Sequence, residues 1–180
     1  GEMLRTLFNS DFFKSENVFY KKIKSPTDLV VQILRITEEF DNPKFELSSR
    51  NSQITYMGQQ LLNPPSVEGW HQGLEWIETG SITERVNFCV QQMSDLNKPG
   101  IAKISDNVIS NDIYSMTLEN LITNISDEIG GLDLSGNTQE SLETFATNIG
   151  LLDNNNKSKI KEKISNMLGL IASVPEFQKC

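Results

Sequence analysis

The chain has 180 residues, a net charge of −8 and a pI near 4.7; its field repels phosphate backbones and anionic lipid, and no basic block compensates. Nucleic acid and membrane surfaces are therefore poor candidate partners. A hydrophobic share of 37% suits a globular domain with a real core, and no apolar run approaches the roughly 20 residues that span a bilayer.

In chain order, Leu4, Leu7 and Phe8 give a first helical stripe, and the run Met3 to Phe8 reads as mid-helix, as in the carboxy-terminal part of a longer protein. Phe12, Phe13, Phe19 and Tyr20 follow too densely for a solvated surface and predict core, or a seam to the rest of such a protein. Ser25-Pro26-Thr27-Asp28 is a helix start, with Ser as cap, Pro in the first turn and Asp completing a capping box. Leu29, Ile33, Ile36 and Phe40 keep helical spacing behind it, Val30 and Leu34 widen the face, and Asp41-Asn42-Pro43 ends it. Ser48-Ser49 opens a helix through Ile54, Met57, Gly58, Leu61 and Leu62.

Ser81-Ile82-Thr83-Glu84 reads as a second capping box, starting a helix whose stripe is Ile82, Val86, Cys89 and Met93. Asn97-Lys98-Pro99-Gly100 predicts a turn, and residues 101–114 read as a long connector with at most a short helix. Helical spacing returns in Leu118, Leu121, Ile122, Ile125 and Ile129, ending at Gly130-Gly131, then in Leu142, Phe145 and Ile149, closed by Gly150. Ile160, Ile164, Met167, Leu168 and Ile171 form the last stripe. No segment alternates with period two over enough residues to demand a sheet. The expectation is one all-α domain over residues 1–180, an irregular bundle of about six to eight helices.

The distinctive stretch runs from Leu62 to Glu78. It holds Pro64 and Pro65, both tryptophans, Trp70 and Trp76, and the lone histidine, His71. The paired prolines stop a helix and impose an extended exit, while Gly69 and Gly73 permit turns on either side of Trp70. Such a loop either folds back as a plug, each indole N–H finding a carbonyl, or stands as a platform for a ligand. Gln59, Arg85 and Asn87, on the flanking helices, are placed to hydrogen-bond the loop's carbonyls; the functional alternative is an anion site with Arg85 as its fork.

The run Met57-Gly58-Gln59-Gln60-Leu61-Leu62-Asn63-Pro64-Pro65-Ser66-Val67-Glu68-Gly69-Trp70, followed by Gly73, Trp76-Ile77 and Arg85, Asn87 and Phe88, resembles the signature of a large bacterial family known as domain of unknown function 1800. Leu7 to Phe13, Lys24-Ser25-Pro26 and Pro175-Glu176-Phe177-Gln178 agree with the flanking parts. The resemblance spans nearly the whole chain, yet only the carboxy-terminal part of a typical member. Members usually have proline where this chain has His71, which argues against a family catalytic role for that residue. The resemblance also implies, loosely, export to the periplasm or beyond and encoding beside a sulfatase-like family.

The sequence carries no complete motif for a familiar chemistry. A serine or cysteine triad needs an orienting base, and His71 has no nucleophile turn beside it. The cysteine and histidine ligands that zinc needs are too few and far apart. The calcium-like runs at Asp133 and Asp153 lack the required glycine and acid, and no phosphate loop or dinucleotide fingerprint occurs. No catalytic residue, metal or cofactor is assigned. Cys89 reads as a buried, inert thiol and Cys180 as a terminal residue, with a disulfide between them the alternative that sequence leaves open. Glu68, Glu75 and Glu78 supply carboxylates beside aromatic faces, as in sugar-cleaving enzymes, or are solvated loop acids. The candidate binding residues are Gln59, Glu68, Trp70, Glu75, Trp76, Arg85 and Asn87. Two readings stand: a helical module that packs against the rest of its parent protein or a protein partner, and the accessory half of a secreted hydrolase or glycan-binding protein. Buried indoles favour the first; a wet groove bordered by indoles and carboxylates favours the second.

Overall fold

The computed structural model describes residues 1–18, 20–39, 48–110, 116–152 and 156–180. Among them the chain is all-α, with nine α-helices and no strand: α1 (Glu2–Asn9), α2 (Asp11–Lys14), α3 (Pro26–Ile36), α4 (Ser49–Tyr56), α5 (Thr79–Met93), α6 (Pro99–Ser110), α7 (Leu118–Asp127), α8 (Gly136–Asn148) and α9 (Lys157–Ile171). The number exceeds the six to eight expected because Ser10 restarts the chain as a separate short helix, its Oγ accepting from Phe13 N at 3.2 Å.

The centre is the crossing of α5 and α9, with α6, α7 and α8 packed around α9 and α3 and α4 against α5. Each element contributes its apolar stripe. Ile160, Ile164, Met167, Leu168 and Ile171 of α9 are buried against Phe88, Cys89 and Met93 of α5 in one continuous core. Ser25 caps α3 with the anticipated box, its Oγ accepting from Asp28 N at 3.2 Å while Asp28 Oδ2 accepts from Ser25 N, also at 3.2 Å. Leu29, Val30 and Ile33 then point inward. Phe40 and Asp41-Asn42-Pro43 lie outside the described residues.

Three local expectations change. Helix α4 ends at Tyr56 rather than near Leu62. Gly58 at φ 99° closes it, with Gly58 N donating to Thr55 O (2.9 Å) and Gln59 N to Ile54 O (3.0 Å), a Schellman stop placed before the prolines are reached. Helix α5 starts at Thr79 with Glu78 as its cap; Ser81 lies within the first turn and donates to Trp76 O (3.0 Å) and Glu78 O (3.1 Å). Residues 99–110 form a full helix, α6, on which Ile101, Ile104 and Val108 are buried at helical spacing. Its polar face and buried Ser105 blur the period, and the supposed turn at Pro99-Gly100 is its first turn. Gly100 has to be glycine there: its N donates to Thr37 O at 3.1 Å, and an added Cβ would lie 1.9 Å from Ile36 O.

The two ends of the body are tied together. Ile23 and Lys179 form an isolated antiparallel bridge, with Lys22 N to Cys180 O (3.2 Å), Cys180 N to Lys22 O (2.8 Å) and Lys24 N to Gln178 O (3.0 Å). Residues 1–18 behave differently. Helices α1 and α2 and the 3-10 turn Glu16–Val18 bury no residue, so the expectation of core is corrected here; Phe19 lies outside the described residues. Ser10, the extended residue between the two helices, turns α2 against α1, so Phe8 meets Phe13 edge-on at 5.0 Å instead of reaching the core.

Candidate functional site

The loop from Met57 to Glu78 is built from local constraints. After Gly58 the chain passes through Leu62, a non-glycine residue at φ 62° with its side chain 96% exposed; backbone of this kind is costly and persists only where neighbours enforce it. The prolines follow, then a tight turn from Ser66 to Gly69, with Gly69 N donating to Ser66 O at 3.1 Å. Val67 at the tip is fully exposed. A 3-10 turn over Gly73–Ile77 re-enters the body, started by Gln72 N donating to Glu75 Oε2 at 3.1 Å, and His71 Nδ1 lies 3.2 Å from the same oxygen.

The two indoles have different fates. Trp76 is buried, with Cζ3 against Gly58. Trp70 is half-buried, and its Nε1–H donates to Gln60 O at 2.9 Å, so its single polar group is spent and its ring orientation is set. Around it opens a cleft of about 830 Å³ whose walls include Trp70, Trp76, Gln59, Glu68, Lys22 and Asp28. Gln59 Oε1 accepts from Thr27 N (2.9 Å) and Thr27 Oγ1 (2.8 Å). Because a backbone N–H can only donate, those bonds fix the amide orientation and leave Nε2 as a donor.

Arg85 is elsewhere. It is fully buried on α5, donating from Nε to Gln178 Oε1 at 3.0 Å and from Nη2 to Lys24 O at 2.9 Å, while Gln178 Nε2 donates to Cys89 Sγ (3.5 Å) and Ala172 O (2.9 Å). Lys24 Nζ donates to Phe177 O at 2.6 Å and sits 4.6 Å from the centre of that ring. Burial lowers the pKa of both cations and pushes the Cys89 thiol up to about 11. The cluster is a clasp that holds residues 22–24 and 177–180 against α5. Neither cation forms an ion pair among the described residues, so carbonyls, an amide and a ring face replace part of their water, and Arg85 Nη1 is buried with no hydrogen-bond partner among those residues.

Of the residues singled out from sequence, Gln59, Glu68, Trp70 and Trp76 share the cleft. Glu75 stands beside it through His71, which lines it. Arg85 and Asn87 are not brought there: Arg85 is sealed in the clasp and Asn87 is exposed on α5. Gln59 and Arg85 also direct their bonds away from the loop's carbonyls, because Thr27 and the C-terminal tail reach them first. Lys22, Ser25 and Asp28 were missed as cleft residues, and Lys24, Phe177 and Gln178 as clasp residues. The capping box marked Ser25 and Asp28 as helix start, while nothing local links positions 24 and 177.

Both cysteines are free, and no group of three or more His, Cys, Asp or Glu among the described residues is placed to hold a metal ion. No helix of the described residues is long and apolar enough to cross a membrane. Fold and site together define an all-α domain with a clasped core and an indole-walled cleft. The chain belongs to the family described as Protein of unknown function (DUF1800), whose model matches residues 1–179. No curated protein and no solved structure matches it.

Proposed function

We propose that this domain is a non-catalytic helical module, the carboxy-terminal part of a longer protein, that packs through its N-terminal arm against another protein surface. That surface belongs to the rest of the parent protein or to a separate partner, and the Trp loop braces the helices behind the arm. The observation that carries the reading is the bare apolar face of α1 and α2. Met3, Leu4, Leu7, Phe8, Phe12 and Phe13 are all exposed, Phe12 by 72%. At about 150–250 Å² per aromatic side chain the three phenylalanines present on the order of 300 Å², and the aliphatic neighbours roughly double it, which approaches the ~800 Å² per partner of a standard interface. Patches of that size mark contact surfaces. The non-catalytic part of the reading is supported by Cys89, whose burial keeps it a thiol at neutral pH.

The test is site-specific photo-cross-linking in the full-length parent protein, with the reactive group at position 12 and, as a control, at position 119 on the exposed face of α7. Position 12 is expected to give an adduct at one defined protein segment, lost when Leu7 is changed to Lys, while position 119 gives none. Equal labelling from both positions, or an adduct indifferent to Leu7→Lys, would refute the reading.

A further inference from the structure

We propose that the cleft beside Trp70 binds a neutral saccharide, one sugar ring lying on the exposed part of the indole and its hydroxyl groups held by the rim. The chemistry on the walls selects the class. With its N–H spent on Gln60 O, Trp70 has only ring carbon surface left to offer, so the group it meets must present an apolar face. The rim must be met by a ligand that both donates and accepts. Gln59 Nε2 and Lys22 donate, Glu68 and Asp28 accept, and among the described residues Lys22 and Glu68 form no ion pair. A pyranose fits this pattern, with C–H groups on its faces and hydroxyls around its edge. A phosphorylated ligand does not, since Glu68 and Asp28 and the net charge of −8 repel it. A fully cationic ligand would meet Lys22.

The cleft also has the dimensions and rigidity for the task. About 830 Å³ lies within the range of small-ligand sites. The indole is pinned by its hydrogen bond and the Gln59 amide by two, so binding orders little that is not already ordered. The floor is apolar, formed by Trp76 and Ile23, both buried. This site shares no residue with the apolar face of the arm, so either assignment can fail alone.

The experiment is titration of the intact chain with cellotetraose, N-acetylchitotetraose and maltotetraose, and with adenosine as an aromatic competitor, followed by tryptophan fluorescence, calorimetry and saturation-transfer NMR. At least one tetrasaccharide is expected to bind in the micromolar to millimolar range. Trp70→Ala should weaken it by about tenfold or more, the size of a lost aromatic anchor. Glu68→Gln and Lys22→Gln, surface changes that leave the core untouched, should each weaken it about threefold to tenfold, as expected for one rim hydrogen bond. Circular dichroism of each variant establishes that it is folded. Absence of binding by all three sugars, tighter binding of adenosine than of any sugar, or affinity unchanged in Glu68→Gln and Lys22→Gln would overturn the proposal.

Discussion

Helices α9 and α1 both carry an apolar stripe at helical spacing. On α9 every member of that stripe is covered by α5, α6, α7 or α8; on α1 none is. The contrast lies less in the stripes than in how their ends are tied. Helix α9 leads into a tail that Arg85 and Lys24 hold against α5, whereas α1 leads into Ser10, whose extended backbone turns Phe13 onto Phe8. An amphipathic face is thus an offer of burial that long-range anchoring has to complete.

The sharpest way to break this contrast is at the clasp. Arg85→Ala removes two hydrogen bonds and opens a buried volume, and is expected to cost about 3–5 kcal/mol in urea unfolding. Arg85→Met, which fills the space without burying a charge, should recover a large part of that. If alanine costs under about 1 kcal/mol, the tail is not what seals α9. Next in size is the α3–α6 contact. Gly100→Ala forces a Cβ onto Ile36 O and should lower stability by about 2 kcal/mol. Gly136→Ala in α8, where nothing lies within 4 Å of an added Cβ, should be neutral or slightly stabilising in the same urea unfolding.

A smaller effect is expected with acid. Burial alone would raise the pKa of Glu39, but hydrogen bonds and charges from Lys98 (2.7 Å) and Arg50 (2.6 Å) outweigh it and hold the carboxyl below its ordinary 4.5. The unfolded chain then takes up that proton at higher pH than the folded one, so the contribution is complete above pH 4.5 and fades as pH falls toward the folded value. Unfolding free energies measured from pH 7 down to pH 3 should show this decline, and Glu39→Gln should flatten it, unlike Glu119→Gln on the exposed face of α7. The least change is expected on the arm. Phe12→Ser should move stability by less than about 0.5 kcal/mol, because Phe12 is 72% exposed. A loss of 2 kcal/mol or more would mean that the arm's face is covered after all.

The cleft sharpens the same lesson at smaller scale. Trp70 and Trp76 belong to one short loop and look alike in sequence, yet one is sealed against Gly58 and the other stands at an open wall. Only where the backbone turns decides between them, and that depends on Leu62 at φ 62° and on the turn at Ser66 to Gly69, neither of which any periodic signal announces.

Sequence by itself determined that this chain is all-α, where most of its helices run, the capping box at Ser25 and the glycine stops after α7 and α8. These are legible because helical period, caps and stops act over a few residues. Tertiary structure alone decided that Gln59 turns to Thr27, that Arg85 joins Lys24 to Gln178, that residues 99–110 complete a helix, and that the aromatic arm stays bare. The first two depend on groups meeting across tens of residues of chain and the last two on which faces find cover, so the outcome is set by competition for burial and hydrogen-bond partners, and local spacing carries no record of which partner wins.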